Sequence, residues 1–145
     1  MTLIDVIMRI LHTVFAGSWA GGTLFMAFLV IPAAQKGHLG TDGLGWLTKR
    51  FSRFSMLSSL VLFITGGHLA GTGYTFELLG SSSRGHLVLT MVVLWFVLTG
   101  LTHAASSRLT KHLNDGAMRA AAANATWFYA AGVAAVGLLI VAGRL

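Results

Sequence analysis

The stretch LHTVFAGSWAGGTLF, residues 11–25, lies inside the first long apolar segment of the chain and indicates the class of fold. It places His12 within a segment long enough to cross a bilayer, where an ionisable side chain is costly and usually faces the protein interior. Trp19 follows seven residues later, about two helical turns on, and therefore lies on the same face. Gly17 and Gly21 form a GxxxG pair, which allows a second helix or a flat ligand to approach closely. The stretch predicts a membrane helix with a functional histidine.

The composition agrees with this interpretation. Of the 145 residues, 55% are hydrophobic and only 10% are charged, with a mean hydropathy of +0.78. Soluble domains contain about 25% charged residues, so the chain is interpreted as one membrane domain in contact with lipid. The absence of cysteine excludes disulfides and thiolate metal sites. The net charge of +6 comes from basic residues between apolar segments, where positive charge usually reports topology, and no nucleic-acid partner is predicted.

Four apolar segments predict an all-α, four-helix integral membrane bundle formed by a single domain, residues 1–145. The helices are expected at about residues 4–31, 54–71, 85–106 and 121–143. The uninterrupted part of the first segment, residues 10–31, would form about 33 Å of helix, enough to span a hydrocarbon core of about 30 Å. This is too long for the apolar region of a signal peptide, about 7–15 residues. The first helix is predicted to end at Pro32.

Most of the basic residues fall in two connecting segments. Residues 33–52 are predicted to be a polar loop, in which Trp46 and Leu47 could form a short interfacial helix, and residues 106–119 a basic, amphipathic connector. The basic residues of these loops and their flanks are Lys36, Lys49, Arg50, Arg53, Arg108, Lys111 and Arg119, whereas the opposite side carries Arg9, Arg84 and Arg144. Because positive charge accumulates on the cytoplasmic side, both termini are predicted to be extracytoplasmic, in the cytoplasmic membrane of a prokaryote. His38 and His112 then lie in cytoplasmic loops.

Three histidines are predicted to converge on the outer half of the bundle. At 1.5 Å per residue, His12 lies about 10 Å below the outer boundary, His68 about 5 to 8 Å and His86 about 3 Å. His103 lies toward the cytoplasmic side. Neutral imidazole binds haem iron, copper or zinc, so this cluster predicts a metal or haem site.

A b-type haem near the outer face is the first interpretation, serving one-electron transfer or a haem-dependent membrane redox reaction. Such a site needs axial ligands on facing helices and small residues beside them. The depths of His12 and His68 agree best, which makes them the preferred axial pair, with His86 as a third candidate ligand. The other residues predicted to contact the cofactor are Ala16, Trp19, Gly67 and Gly71.

Two alternatives remain open on the same residues. Copper favours imidazole together with thioether sulfur, and Met8 lies one turn before His12, so a copper-binding or copper transport protein could use Met8 with the three histidines. A structural subunit of a membrane complex would use the GxxxG faces to bind a redox partner or a second copy of the chain. Its histidines would then only form hydrogen bonds between helices, worth about 0.6 kcal/mol each.

Parts of the sequence resemble a known family. The order of His12, Trp19, Gly21-Gly22 and Phe25 in the first helix resembles the copper resistance protein D family and the related four-helix HemJ-type protoporphyrinogen oxidases, as do ITGGHLAG and RGHLVLTMVVL in the second and third helices. The resemblance to the copper family implies copper uptake across the membrane. The resemblance to the oxidases implies haem b with an important histidine at the position of His12. The oxidases also need a lysine in the third helix, which this chain lacks between Arg84 and Arg108.

Overall fold

Four long helices and one short helix make up the computed structural model, which describes all 145 residues. They are α1 (Leu3–Gln35), α2 (Thr41–Gly73), α3 (Phe76–Ser81), α4 (Ser83–His112) and α5 (Ala117–Gly143). No strand is present. The helices α1, α2 and α5, and α4 together with the turn after it, are long and apolar enough to cross a membrane, and each contains its predicted span. The predicted all-α, four-helix fold is confirmed.

The first helix does not end at Pro32, as the sequence predicted, but continues to Gln35. A proline inside a helix has no amide hydrogen, and its ring crowds the carbonyl group four residues earlier. In α1 the preceding turn, Met26–Val30, is a π-helix, in which the amide of Ile31 bonds to the carbonyl of Met26. Because this turn is wider than an α-helical turn, the helix accommodates the proline without breaking.

The two basic segments are more helical than predicted. Helix α2 already begins at Thr41, so more than half of the expected loop at residues 33–52 belongs to that helix. Helix α4 continues to His112, which therefore ends a helix, and a single 3-10 turn, Leu113–Asp115, leads toward α5. Continued helix keeps backbone amides and carbonyls paired where hydropathy alone predicts a loop. At the start of α5, Gly116 has a φ of 95°, in the region that favours glycine.

The long helices form a ring in which α1 packs on α2 and α5, and α4 packs on α5 and α2. Two apolar clusters fill the ring. One, nearer the basic connections, includes Ile31, Leu44 and Phe128, and the other surrounds Trp19. Helix α5 allows close packing through small residues, since a Cβ added at Gly132 would lie 3.1 Å from the ring of Phe28. Small residues of this kind increase van der Waals contact between membrane helices.

Candidate functional site

One face of α1 carries three potential ligand side chains toward the bundle. Among the first twelve residues only Asp5, Met8 and His12 are not exposed to the surroundings. Their spacing of three and four residues places them on one side of the helix. The sequence analysis identified Met8 and His12 but missed Asp5. Its position seven residues before His12, on the same face, was the available signal.

His12 is held by a hydroxyl group from the facing helix. Its Nδ1 lies 2.9 Å from Oγ1 of Thr65 in α2. The hydroxyl of Thr65 has one hydrogen, which it donates to the carbonyl of Val61 at 2.7 Å. Thr65 therefore accepts a hydrogen bond from Nδ1–H of His12, and the lone pair of a neutral imidazole is left on Nε2. Histidines that bind metals are usually oriented in this way through their other ring nitrogen.

His68 is bonded through its other nitrogen to an acidic side chain of α1. Its Nε2 lies 2.9 Å from Oδ1 of Asp5, and both side chains are partly exposed. The second carboxylate oxygen of Asp5 accepts hydrogen bonds from the amide and hydroxyl of Thr2, both at 2.8 Å. Because a carboxylate only accepts, Nε2 of His68 is the donor and Nδ1 remains without a partner. The capping residues of α1 thus fix the orientation of a histidine on α2.

His86 does not join these two histidines. It is exposed at the start of α4, where its Nε2 donates to the carbonyl oxygen of Gly80 in α3 at 2.9 Å. No group of three or more His, Asp or Glu side chains in the chain is arranged to hold a metal ion. The structure therefore brings His12 and His68 to one interface between α1 and α2, each with its own partner, and places His86 in a different contact.

The small residues near the histidines differ in their surroundings. A Cβ added at Gly66 would lie 3.1 Å from Cε1 of His12, so this ring already lies against the backbone of α2. Gly67 and Gly71, which the sequence analysis placed beside the cofactor, have nothing within 4 Å of an added Cβ, and Ala16 packs against the apolar cluster around Trp19. The contact of His12 with Gly66 brings α1 and α2 together here, and haem b held by His12 and His68 stays a prediction.

Trp19 belongs to the core of the bundle. Its side chain is 1% exposed and donates from Nε1 to Oγ of Ser55 in α2 at 2.8 Å. Ser55 in turn donates to Oγ1 of Thr102 in α4 at 2.9 Å, and Thr102 donates to the carbonyl of Leu98. This chain of hydrogen bonds connects three helices, and it gives Trp19 a structural position. The sequence analysis did not identify Ser55 or Thr102.

The predicted GxxxG face points away from the bundle. Gly17 and Gly21 have nothing within 4 Å of an added Cβ, whereas the neighbouring Gly22 faces the ring of Phe54 at 3.6 Å. The pair is therefore exposed on α1 and makes no close contact inside the chain. Binding of a partner helix or a second copy there stays a prediction.

Four long apolar helices, with large apolar side chains exposed around them and polar pairs kept between them, define an integral membrane protein. The chain belongs to the copper resistance protein D family. The model of this family matches residues 46–145, which is more than half of the chain. The matched part includes His68 and His86 but not α1. No curated protein and no solved structure matches the chain. The resemblance to the copper family is confirmed, and the resemblance to HemJ-type oxidases stays a prediction.

Proposed function

We propose that this member of the copper resistance protein D family transports copper across the membrane, and that the α1 face of Asp5, Met8 and His12 receives the ion. The observation that carries the proposal is the bond between His12 and Thr65, which leaves the Nε2 lone pair of a half-buried imidazole free. A partner on the other ring nitrogen fixes the tautomer and the ring orientation of histidines that bind metals.

The neighbouring donors suit copper better than a hard cation. Met8 lies one turn before His12 on the same half-buried face and offers thioether sulfur, a soft ligand that selects Cu(I). The pair of Asp5 and His68 adds a carboxylate and a second imidazole at the same interface. Transport requires binding that is weak enough for release. A few adjacent donors therefore serve passage of the ion better than a closed cage.

The experiment measures copper accumulation by mass spectrometry of whole cells that express the chain, together with Cu(I) affinity of the purified protein by chelator competition. His12→Asn and Met8→Leu should lower both the copper accumulation and the Cu(I) affinity, because the first removes the imidazole and the second removes the thioether sulfur. Thr65→Val keeps the imidazole but removes the hydroxyl that orients it, and should weaken Cu(I) binding by about 10- to 100-fold, the usual effect of losing a partner behind a metal ligand.

His38→Asn provides the matched control, since His38 is exposed beyond the other end of α1. The copper accumulation and the Cu(I) affinity of this variant should equal those of the unmodified chain. The proposal is wrong if His12→Asn accumulates as much copper as His38→Asn at equal protein abundance. It is also wrong if Thr65→Val binds Cu(I) with unchanged affinity, because the orientation of His12 would then be irrelevant.

A further inference from the structure

An open groove runs between α2 and α4. Its apolar section has a volume of about 560 Å³ and is lined by Met56, Leu60, Phe63 and Trp95, among others. The groove continues into a section of about 360 Å³ that has no hydrophobic lining residue. Ser52 and His103 line both sections, so the groove changes from apolar to polar along one continuous path.

The polar section carries positive charge without acidic partners. Lys49, Arg53 and Lys111 line it, and no Asp or Glu does. None of the three forms a salt bridge, since the one salt bridge of the chain joins α1 and α2 elsewhere. Two other arginines of these helix ends are engaged differently, because Arg50 and Arg108 each lie over a tryptophan ring. Three cations facing one cavity favour an anionic ligand.

A buried hydroxyl group in the polar section also has no partner. Ser106 is 2% exposed, lines this section, and its Oγ makes no hydrogen bond. Buried polar atoms are nearly always hydrogen-bonded, so the unpaired hydroxyl of Ser106 in the polar section points to a ligand that carries oxygen atoms there.

We propose that this groove binds one anionic phospholipid. Its phosphate lies among Lys49, Arg53 and Lys111, and one acyl chain extends along the apolar section toward Phe63. The length of the groove matches that of one phospholipid. From Thr48 to Phe63 the groove follows α2 for about 22 Å, at 1.5 Å per residue. One leaflet with its headgroups is about half of a bilayer of 40–45 Å, so a single lipid reaches from the basic end to the apolar end.

The test is native mass spectrometry of the full chain purified in detergent, titrated with phosphatidylglycerol, with phosphatidylcholine and with inorganic phosphate. One phosphatidylglycerol should bind, at least about tenfold more tightly than phosphatidylcholine. Arg53→Gln/Lys111→Gln should weaken binding by about tenfold or more, because each lost charge-assisted hydrogen bond is worth roughly that factor. Lys36→Gln/Arg119→Gln removes the same amount of charge outside the groove, and should change binding by less than about threefold.

A second measurement uses no charge variant, so it does not depend on how those variants fold. Phosphatidylglycerol with bromine on its acyl chain should quench the fluorescence of Trp95, and Trp95→Phe should lose that component. Absence of this quenching overturns the proposal.

The remaining outcomes distinguish the sources of the anion. Equal weakening in both double variants would attribute binding to general surface charge and overturn the site. Stoichiometric binding of inorganic phosphate that displaces the lipid would make the groove a free-anion site, and a lipid-free dimer closed over the groove would make it an interface. Either result overturns the assignment to a phospholipid.

Discussion

Gly66 and Gly67 are adjacent in α2, yet alanine should affect them differently. A Cβ at Gly66 would lie 3.1 Å from Cε1 and 3.6 Å from Nδ1 of His12, whereas a Cβ at Gly67 has nothing within 4 Å. The ring of His12 has little freedom to retreat, because its Nδ1 is bonded to Thr65 at 2.9 Å. Gly66→Ala must therefore displace the ring that we propose to bind copper, and Gly67→Ala leaves it in place.

The expected difference follows from these contacts. Alanine gains about 0.5–1 kcal/mol over glycine in a helix interior, and this gain cancels when the two variants are compared. Crowding remains at Gly66, since 3.1 Å is shorter than the usual carbon separation of about 3.5–4.0 Å. Overpacking of this kind costs about 1–3 kcal/mol. We expect Gly66→Ala to have a free energy of unfolding lower than that of Gly67→Ala by about this amount.

The assay is reversible unfolding of the purified protein in mixed micelles by titration with a denaturing detergent, followed by circular dichroism. Cu(I) affinity is measured on the same samples, and only Gly66→Ala should lose affinity. Equal stability and equal copper affinity of the two variants would refute the contact between His12 and Gly66 and the orientation derived from it.

Two other predictions concern the core and the topology. Ser55→Ala removes the acceptor of the buried Nε1–H of Trp19, and should lower the free energy of unfolding by about 1–3 kcal/mol. Ser59→Ala should lower it less, because the hydroxyl of Ser59 bonds only within its own helix. Equal losses of stability in detergent unfolding would contradict the role of this network. Cysteines introduced at Ser82 and Gly116, in a chain that has none, should react with an impermeant reagent from opposite sides of the membrane, with Ser82→Cys on the outside; reaction of both from one side would contradict the four-span topology.

The fold class could be predicted because lipid leaves the backbone few choices. A segment in the hydrocarbon core must pair its own amides and carbonyls, so a long apolar segment becomes a helix whatever its neighbours are. Each of the four long helices accordingly contains its predicted span. The predicted helix ends were wrong where the chain leaves the hydrocarbon core, because backbone pairing is no longer required there. Beyond the apolar segments, at Thr41 and His112, the chain continues as helix although its composition resembles a loop.

The sequence by itself determined four membrane helices and identified His12 as a candidate ligand, because apolar length and an ionisable side chain in lipid are local properties. Only the tertiary structure decided that Thr65 orients His12, that Asp5 binds His68 and that Trp19 lies in the core. Each residue advances the face of a helix by about 100°, so spacing shows which side chains share a face but not which helix that face meets. The helix that a face meets depends on the packing of all four helices together. A rotation of α2 by one residue would place Gly67, instead of Gly66, against His12.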